Sequence, residues 1–210
     1  MAVSRYFGLP GCGKTTMLAK LAYDALRRGL YKNVYSNVHL AIPGVQYVPF
    51  EYFGTYEIVD GLYLVDEATI NAGDRDYKSF GRHKMRALME HRHANLDIVF
   101  FSQEADGMDK KIRSITDRVY YVRKSRLNRN WTYVYRVPYK IIWPDGKSDG
   151  GENAGRILMG YVKPPFISRL FALRFSRKKY YKYFDSWERD PLLPLPSDCV
   201  TYGASPASEP

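Results

Sequence analysis

The chain predicts an α/β fold built on a mostly parallel sheet, and three features carry that expectation. Short apolar runs at residues 4–7, 62–66 and 97–101 alternate with stretches of helical periodicity such as 15–28. Strands buried on both faces read as unbroken apolar runs, because crossover helices cover the sheet above and below. The first run leads directly into GLPGCGKT at residues 8–15, a full match to the phosphate-binding pattern GxxxxGK[ST]. A strand before such a loop and a helix after it is the context the pattern requires.

Each element can be justified in turn. Residues 15–28 place Met17, Leu18, Leu21, Ala22, Ala25 and Leu26 at helical spacing and stop before Gly29. Residues 33–40 (NVYSNVHL) are expected to be a strand. Pro43-Gly44 then breaks the chain, and 45–48 form a short edge strand. LYLVD at 62–66 is a strand buried on both faces that closes on an acid. Residues 80–93 fit a helix with Met85, Leu88 and Met89 on one face. DIVFF at 97–101 is a further buried strand, with Gln103 close behind it. A short helix is expected at 109–115 and a fifth strand at 118–122, joined by right-handed crossovers. After about residue 126 the pattern changes: 131–137, 139–143 and 156–162 read as a small antiparallel meander. The expected organisation is a P-loop core over 1–126, a basic β-rich extension packed on it over 127–190, and a flexible tail over 191–210.

Composition narrows the class. With 45% hydrophobic and 15% aromatic residues in 210, the chain is globular rather than disordered. The longest uncharged stretch, 33–50, contains Asn33, Asn37, His39, Pro43, Gly44 and Pro49, so it does not read as a membrane span. Membrane contact is therefore expected to be peripheral or through a partner. No signal peptide is visible, and Cys12 and Cys199 make no disulfide framework, which suggests a reducing cytosol. The net charge of +10 is unevenly spread: residues 110–189 hold 20 Lys/Arg against 6 Asp/Glu. Such a basic half suggests nucleic acid or an anionic membrane as partner, although a solvated charged surface gives the same count.

The loop carries the first chemistry. Gly8, Gly11 and Gly13 let the backbone curl so that successive N–H groups face phosphate oxygens, with Pro10 and the small Cys12 filling the turn. Lys14 reaches the outer phosphates, Thr15 holds a magnesium ion, Thr16 belongs to the same nucleotide-binding set, and the helix beginning near Lys14 aims its positive end at the same anion. A nucleoside triphosphate is the expected ligand. Hydrolysis needs a further acid for the metal and a base for the attacking water, and Asp66 and Glu67 supply both at one strand end. Gln103 faces the γ-phosphate as a sensor if its strand lies between the other two; Ser102 is the alternative. Arg92, Arg113 and Arg118 are candidates for a finger reaching a neighbouring subunit. His91 and His93 lack further metal ligands at useful spacing, so a metal centre there is rejected. The 19 tyrosines suit base stacking, but alternation within strands explains most of them.

Taken in order, GLPGCGKTT, VYSNVHL, LYLVDEA, EHRHANLDIVFFSQE and KKIRSITDRVYYVRK resemble the Zot-like (zonular occludens toxin-like) proteins. These are assembly ATPases of filamentous phages within the FtsK–HerA group of motors. The resemblance covers roughly residues 1–124 and, more loosely, YYKYFDS at 180–186. It implies a RecA-like core with strand order 5-1-4-3-2, an oligomeric ring such as a hexamer, and ATP-driven export of single-stranded phage DNA. It also implies phage coat or assembly proteins as partners, at the cytoplasmic face of the host inner membrane. By motif match, Lys14 and Thr15 bind phosphate and magnesium, Asp66 supports the metal, Glu67 is the catalytic base and Gln103 the sensor. Proteins of this kind usually continue into a membrane-spanning segment. The expectation is therefore either the cytoplasmic domain of a longer protein or a short version docking on a membrane partner. The toxin activity in the family name has no support in these residues. Three other readings stay open: a small-molecule kinase, a nucleotide-gated scaffold with little turnover, and a DNA-packaging ATPase of another phage type.

Overall fold

The computed structural model describes residues 1–67, 81–103, 112, 115–137, 139–142, 155–158 and 172–185. The expected tail at 191–210, Cys199, Arg113 and most of the helix expected at 109–115 lie outside the described residues. Strand β1 (Val3–Phe7) runs into the loop, and helix α1 (Lys14–Arg27) follows it. Next come β2 (Asn33–Ser36), β3 (Val45–Tyr47), a 3-10 turn at Phe50–Tyr52, and β4 (Gly61–Val65). Helix α2 (Arg82–Met89) precedes β5 (Leu96–Ser102) and β6 (Arg118–Lys124). The second half gives β7 (Trp131–Arg136), β8 (Tyr139–Ile142), β9 (Gly155–Leu158) and β10 (Leu173–Ser176).

The sheet order is β10-β7-β6-β1-β5-β4-β2-β3. Its centre, β6-β1-β5-β4-β2, is entirely parallel and is the 5-1-4-3-2 arrangement with strands counted as the sequence analysis counts them. Both edges extend that core. Strand β3 adds in parallel outside β2, while β7 and β10 add antiparallel pairings outside β6. The expected meander is corrected in form: β7 joins the main sheet, and among the described residues only β8 and β9 pair apart from it. The reason is register, since Tyr120–Lys124 of β6 pairs residue by residue with Thr132–Arg136 and leaves a full edge for β10.

Alternation along the central strands fills two cores. Leu62 and Leu64 of β4 with Val99 and Phe101 of β5 face α1, whose Met17, Leu18, Ala22 and Ala25 close that side. Tyr63 and Val65 with Ile98 and Phe100 face the other way, against Leu88 of α2 and Phe50 and Phe53 of the 3-10 turn. Each such side chain contributes about 1.5–3 kcal/mol of burial. After β10 the chain makes two further 3-10 turns, Arg177–Lys179 and Tyr181–Tyr183. Tyr183 stacks on Tyr23 of α1 at 5.5 Å, and its carbonyl accepts the Ala41 N–H at 2.7 Å. Residues 172–185 thus cross α1 from the β7 edge to the segment after β2. Among the described residues, no helix is long and apolar enough to cross a membrane.

Candidate nucleotide-binding site

The loop sits where β1 leaves the sheet, and its glycines serve different needs. Gly11 (φ 69) and Gly13 (φ 99) occupy left-handed backbone that other residues resist. Gly8 needs space rather than torsion, because a Cβ there would lie 2.3 Å from the Val122 carbonyl oxygen of β6. The Gly8 N–H donates to the Ser102 carbonyl at 3.3 Å, and Met17 N–H to that of Gly13 at 2.9 Å, opening α1. Gly13 offers α1 no side-chain cap and the first turn holds no acid, so its leading amides are left for a ligand. Lys14 is buried, its Nζ donating to the carbonyls of Gly8 at 2.9 Å and Leu9 at 3.3 Å. The ammonium thus lies against the rim of the loop. Burial pushes the Cys12 thiol above its ordinary value, with Lys14 working against it; it remains a protonated space-filler. Pro10 is exposed, and Thr16 is buried beneath the helix start.

Asp66 meets the loop at the end of β4. The Thr15 hydroxyl donates to Asp66 Oδ2 at 2.7 Å across 51 residues of chain. The other carboxylate oxygen accepts the Glu67 N–H at 3.0 Å. A residue that sequence reasoning missed fixes the main chain here. Asn37, just past β2, accepts the Asp66 N–H on Oδ1 at 2.7 Å and donates from Nδ2 to the Asp66 carbonyl at 3.1 Å. An Asn in an otherwise apolar strand end was the available signal, but only the adjacency of β2 and β4 gives it a partner. Glu67 then takes a left-handed turn (φ 51) and is exposed. A non-glycine residue held there costs about 1 kcal/mol or more and needs surroundings that enforce it. The Asn37 clamp is such a surrounding.

Gln103 follows β5, which lies between β1 and β4, so the topological condition set for its sensor role is met. Its side chain is exposed at the same end of the sheet as the loop and Asp66, while Ser102 is fully buried. Arg92 and Arg118 are exposed at the amino ends of β5 and β6, the opposite edge. Seven strand residues at about 3.3 Å each separate Arg92 from this chain's loop by roughly 20 Å, and the structure does not bring either arginine to it. His91 turns its Nδ1 to the Leu88 carbonyl at 2.8 Å, and His93 is exposed. Two residues from the second half do reach the loop. Thr132 Oγ1 donates to the Cys12 carbonyl at 3.1 Å and Arg177 Nη1 to that of Gly11 at 3.2 Å.

The donor set suits magnesium. Thr15 Oγ1 and the Asp66 carboxylate converge beside the open end of α1, two hard oxygen donors that would hold magnesium and supply charge neutralisation at a bound phosphate.

A parallel α/β sheet with this loop, this acid and this intervening strand defines the P-loop NTPase fold class. Residues 48–140 match the family model described as zonular occludens toxin (Zot). The crystal structure of the N-terminal domain of zonular occludens toxin from Neisseria meningitidis superposes with a TM-score of 0.54 at 18% identity, covering 88% of this chain and 98% of that one. The chain thus has the P-loop NTPase fold and is similar to the Zot family over residues 48–140. Fainter matches are the DNA-packaging ATPase B204 from Sulfolobus Turreted Icosahedral Virus and the flagellar accessory protein FlaH from Methanocaldococcus jannaschii. The first has a TM-score of 0.46 at 12% identity, covering 64% of this chain and 92% of that one. The second has 0.44 at 10%, covering 64% and 77%. No curated protein matches the chain in sequence.

Proposed function

We propose that this chain hydrolyses ATP as a motor for filamentous-phage assembly, moving single-stranded phage DNA toward export. One observation carries the reading: the 2.7 Å contact of Thr15 with Asp66 at the mouth of the GLPGCGKT loop, with Glu67 and Gln103 at neighbouring strand ends. The amides of the loop and Lys14 hold the β- and γ-phosphates, and Thr15 and Asp66 hold magnesium. Magnesium, when bound, neutralises charge on the transferring phosphoryl group. Glu67 orients a water and accepts its proton, its exposed carboxylate standing one residue beyond Asp66. Gln103 contacts the γ-phosphate from the strand between.

The basic balance of residues 110–189 supports a nucleic-acid partner, and its size favours phosphate contacts over base readout. The motor works as a homo-oligomeric ring with an arginine of one subunit, Arg92, Arg113 or Arg118, completing its neighbour's site. It acts in the host cytoplasm, against coat or assembly proteins at the inner membrane's cytoplasmic face. The test is ATP turnover with and without single-stranded DNA, with magnesium and after its chelation. Stimulation by DNA and loss on chelation are expected. Turnover that DNA leaves unchanged sinks the motor role, and binding without turnover favours the scaffold reading.

A further inference from the structure

We infer that Thr132 and Arg177 are positioning residues for the phosphate loop, fixing its outward carbonyls and so aiming the amides that face the ligand. The inference rests on the nucleotide-binding reading above. Both residues come from the basic second half, and neither belongs to the loop pattern. Thr132, fully buried in β7, donates to the Cys12 carbonyl at 3.1 Å, and Arg177 Nη1 donates to the Gly11 carbonyl at 3.2 Å.

A trans peptide is planar, with its C=O and N–H pointing in opposite directions. Holding the Cys12 carbonyl toward β7 therefore turns the Gly13 N–H to the other side of the loop, where phosphate binds. Holding the Gly11 carbonyl fixes the Cys12 N–H in the opposite direction, where it closes the turn on the Leu9 carbonyl at 3.2 Å and so shapes the loop. A glycine-rich loop has many accessible conformations, so anchoring it from a rigid sheet lowers the ordering cost of binding. Gly13 makes room for both anchors: a Cβ there would lie 2.8 Å from Arg177 Cδ and 2.8 Å from Thr132 Oγ1.

Arg177 adds charge to geometry. It is only 8% exposed, and its Nε has no hydrogen-bond partner among the described residues. A buried guanidinium with an unused donor is costly for stability alone. Behind a nest of amides it supplies a fixed positive charge for a polyphosphate. Its own N–H donates to the Asn130 carbonyl at 2.7 Å, so the turn that carries it is tied to the start of β7.

The experiment uses the full chain and four variants. Thr132→Val removes the hydroxyl and keeps the branching, whereas Thr132→Ser keeps the hydroxyl. Arg177→Met keeps the stem without charge, and Arg177→Lys returns the charge. Three quantities are measured: binding of ADP and a non-hydrolysable ATP analogue, KM and kcat for ATP, and hydrogen exchange at the Gly13 amide without ligand. Thr132→Val and Arg177→Met are expected to weaken both nucleotides about fivefold to tenfold, as loss of one positioning hydrogen bond does. KM should rise in step while kcat falls less, Gly13 exchange should quicken, and Thr132→Ser should restore native values. Arg177→Lys should recover part of the lost affinity. Native affinity with unchanged exchange in Thr132→Val and Arg177→Met overturns the inference, as does a lowered melting temperature with native affinity. If the native chain binds no triphosphate, the proposed function fails, and the exchange comparison alone decides whether these residues position the loop.

Discussion

Gly11 and Gly13 are two residues apart and both left-handed, yet their surroundings differ. A Cβ at Gly11 meets nothing within 4 Å, whereas one at Gly13 runs into Arg177 and Thr132. Gly11→Ala should therefore cost only the torsional strain, about 1 kcal/mol, and Gly13→Ala distinctly more. Denaturant midpoints of the two variants measure the difference, and equal losses would contradict the packing argument. At the chemical positions, Lys14→Ala should abolish nucleotide binding. Glu67→Gln should bind normally but lose hydrolysis; full turnover by that variant removes Glu67 from the base role. Of these residues, Lys14, Thr15, Asp66 and Glu67 were readable because motif and strand end stand in fixed relation along the chain. Asn37, Thr132 and Arg177 were not, since each meets its target only through strand pairing or a contact more than a hundred residues away.

Elements end where local chemistry interrupts them. The strand expected over 33–40 stops at Ser36 because the Ser36 hydroxyl accepts the Val38 N–H at 3.0 Å and donates to its carbonyl at 2.9 Å. That turn ends β2 with the Asn37 N–H still donating to the Leu64 carbonyl at 3.1 Å, which holds its side chain beside Asp66. The helix expected over 80–93 spans Arg82–Met89; residues 90–95 fold into turns, with Asn95 left-handed at φ 52. Asn37→Ala removes both bonds to the Asp66 main chain and strands its polar groups. A loss of about 1–3 kcal/mol is expected in chemical denaturation. Turnover should fall with it, because Asp66 and the strained Glu67 lose their common restraint. A variant with native stability and native turnover would show that the turn at Glu67 holds without the clamp.

Over the whole molecule, burial of tyrosines within the two cores sets an alkaline limit. Desolvation pushes the hydroxyls of Tyr6, Tyr31 and Tyr63 well above the ordinary phenol value. The unfolded chain releases those protons near pH 10, while the native fold retains them. The unfolded state then binds fewer protons, so stability is complete below about pH 10 and declines as pH rises past it. Denaturation midpoints from roughly pH 8 to 11 should show the decline, and Tyr6→Phe should lessen its slope. A flat profile in the native chain would mean the phenols titrate normally. At the same scale, the proposed DNA binding by the basic half should weaken steeply with salt, as released counterions require; a flat salt profile argues against phosphate contacts.

The residues along the chain were enough to specify the parallel α/β core, the phosphate loop and the acids at the end of β4. Those signals are local: an apolar run, a helical period, a glycine spacing. Tertiary structure alone decided that β7 and β10 continue the same sheet, and that Asn37 grips Asp66. It also decided that Arg177 reaches the loop from the second half, with Arg92 and Arg118 at the far edge of their own subunit. These facts depend on which strand edges meet and in what register, and hydrogen bonds between distant segments leave no periodic trace in the order of amino acids.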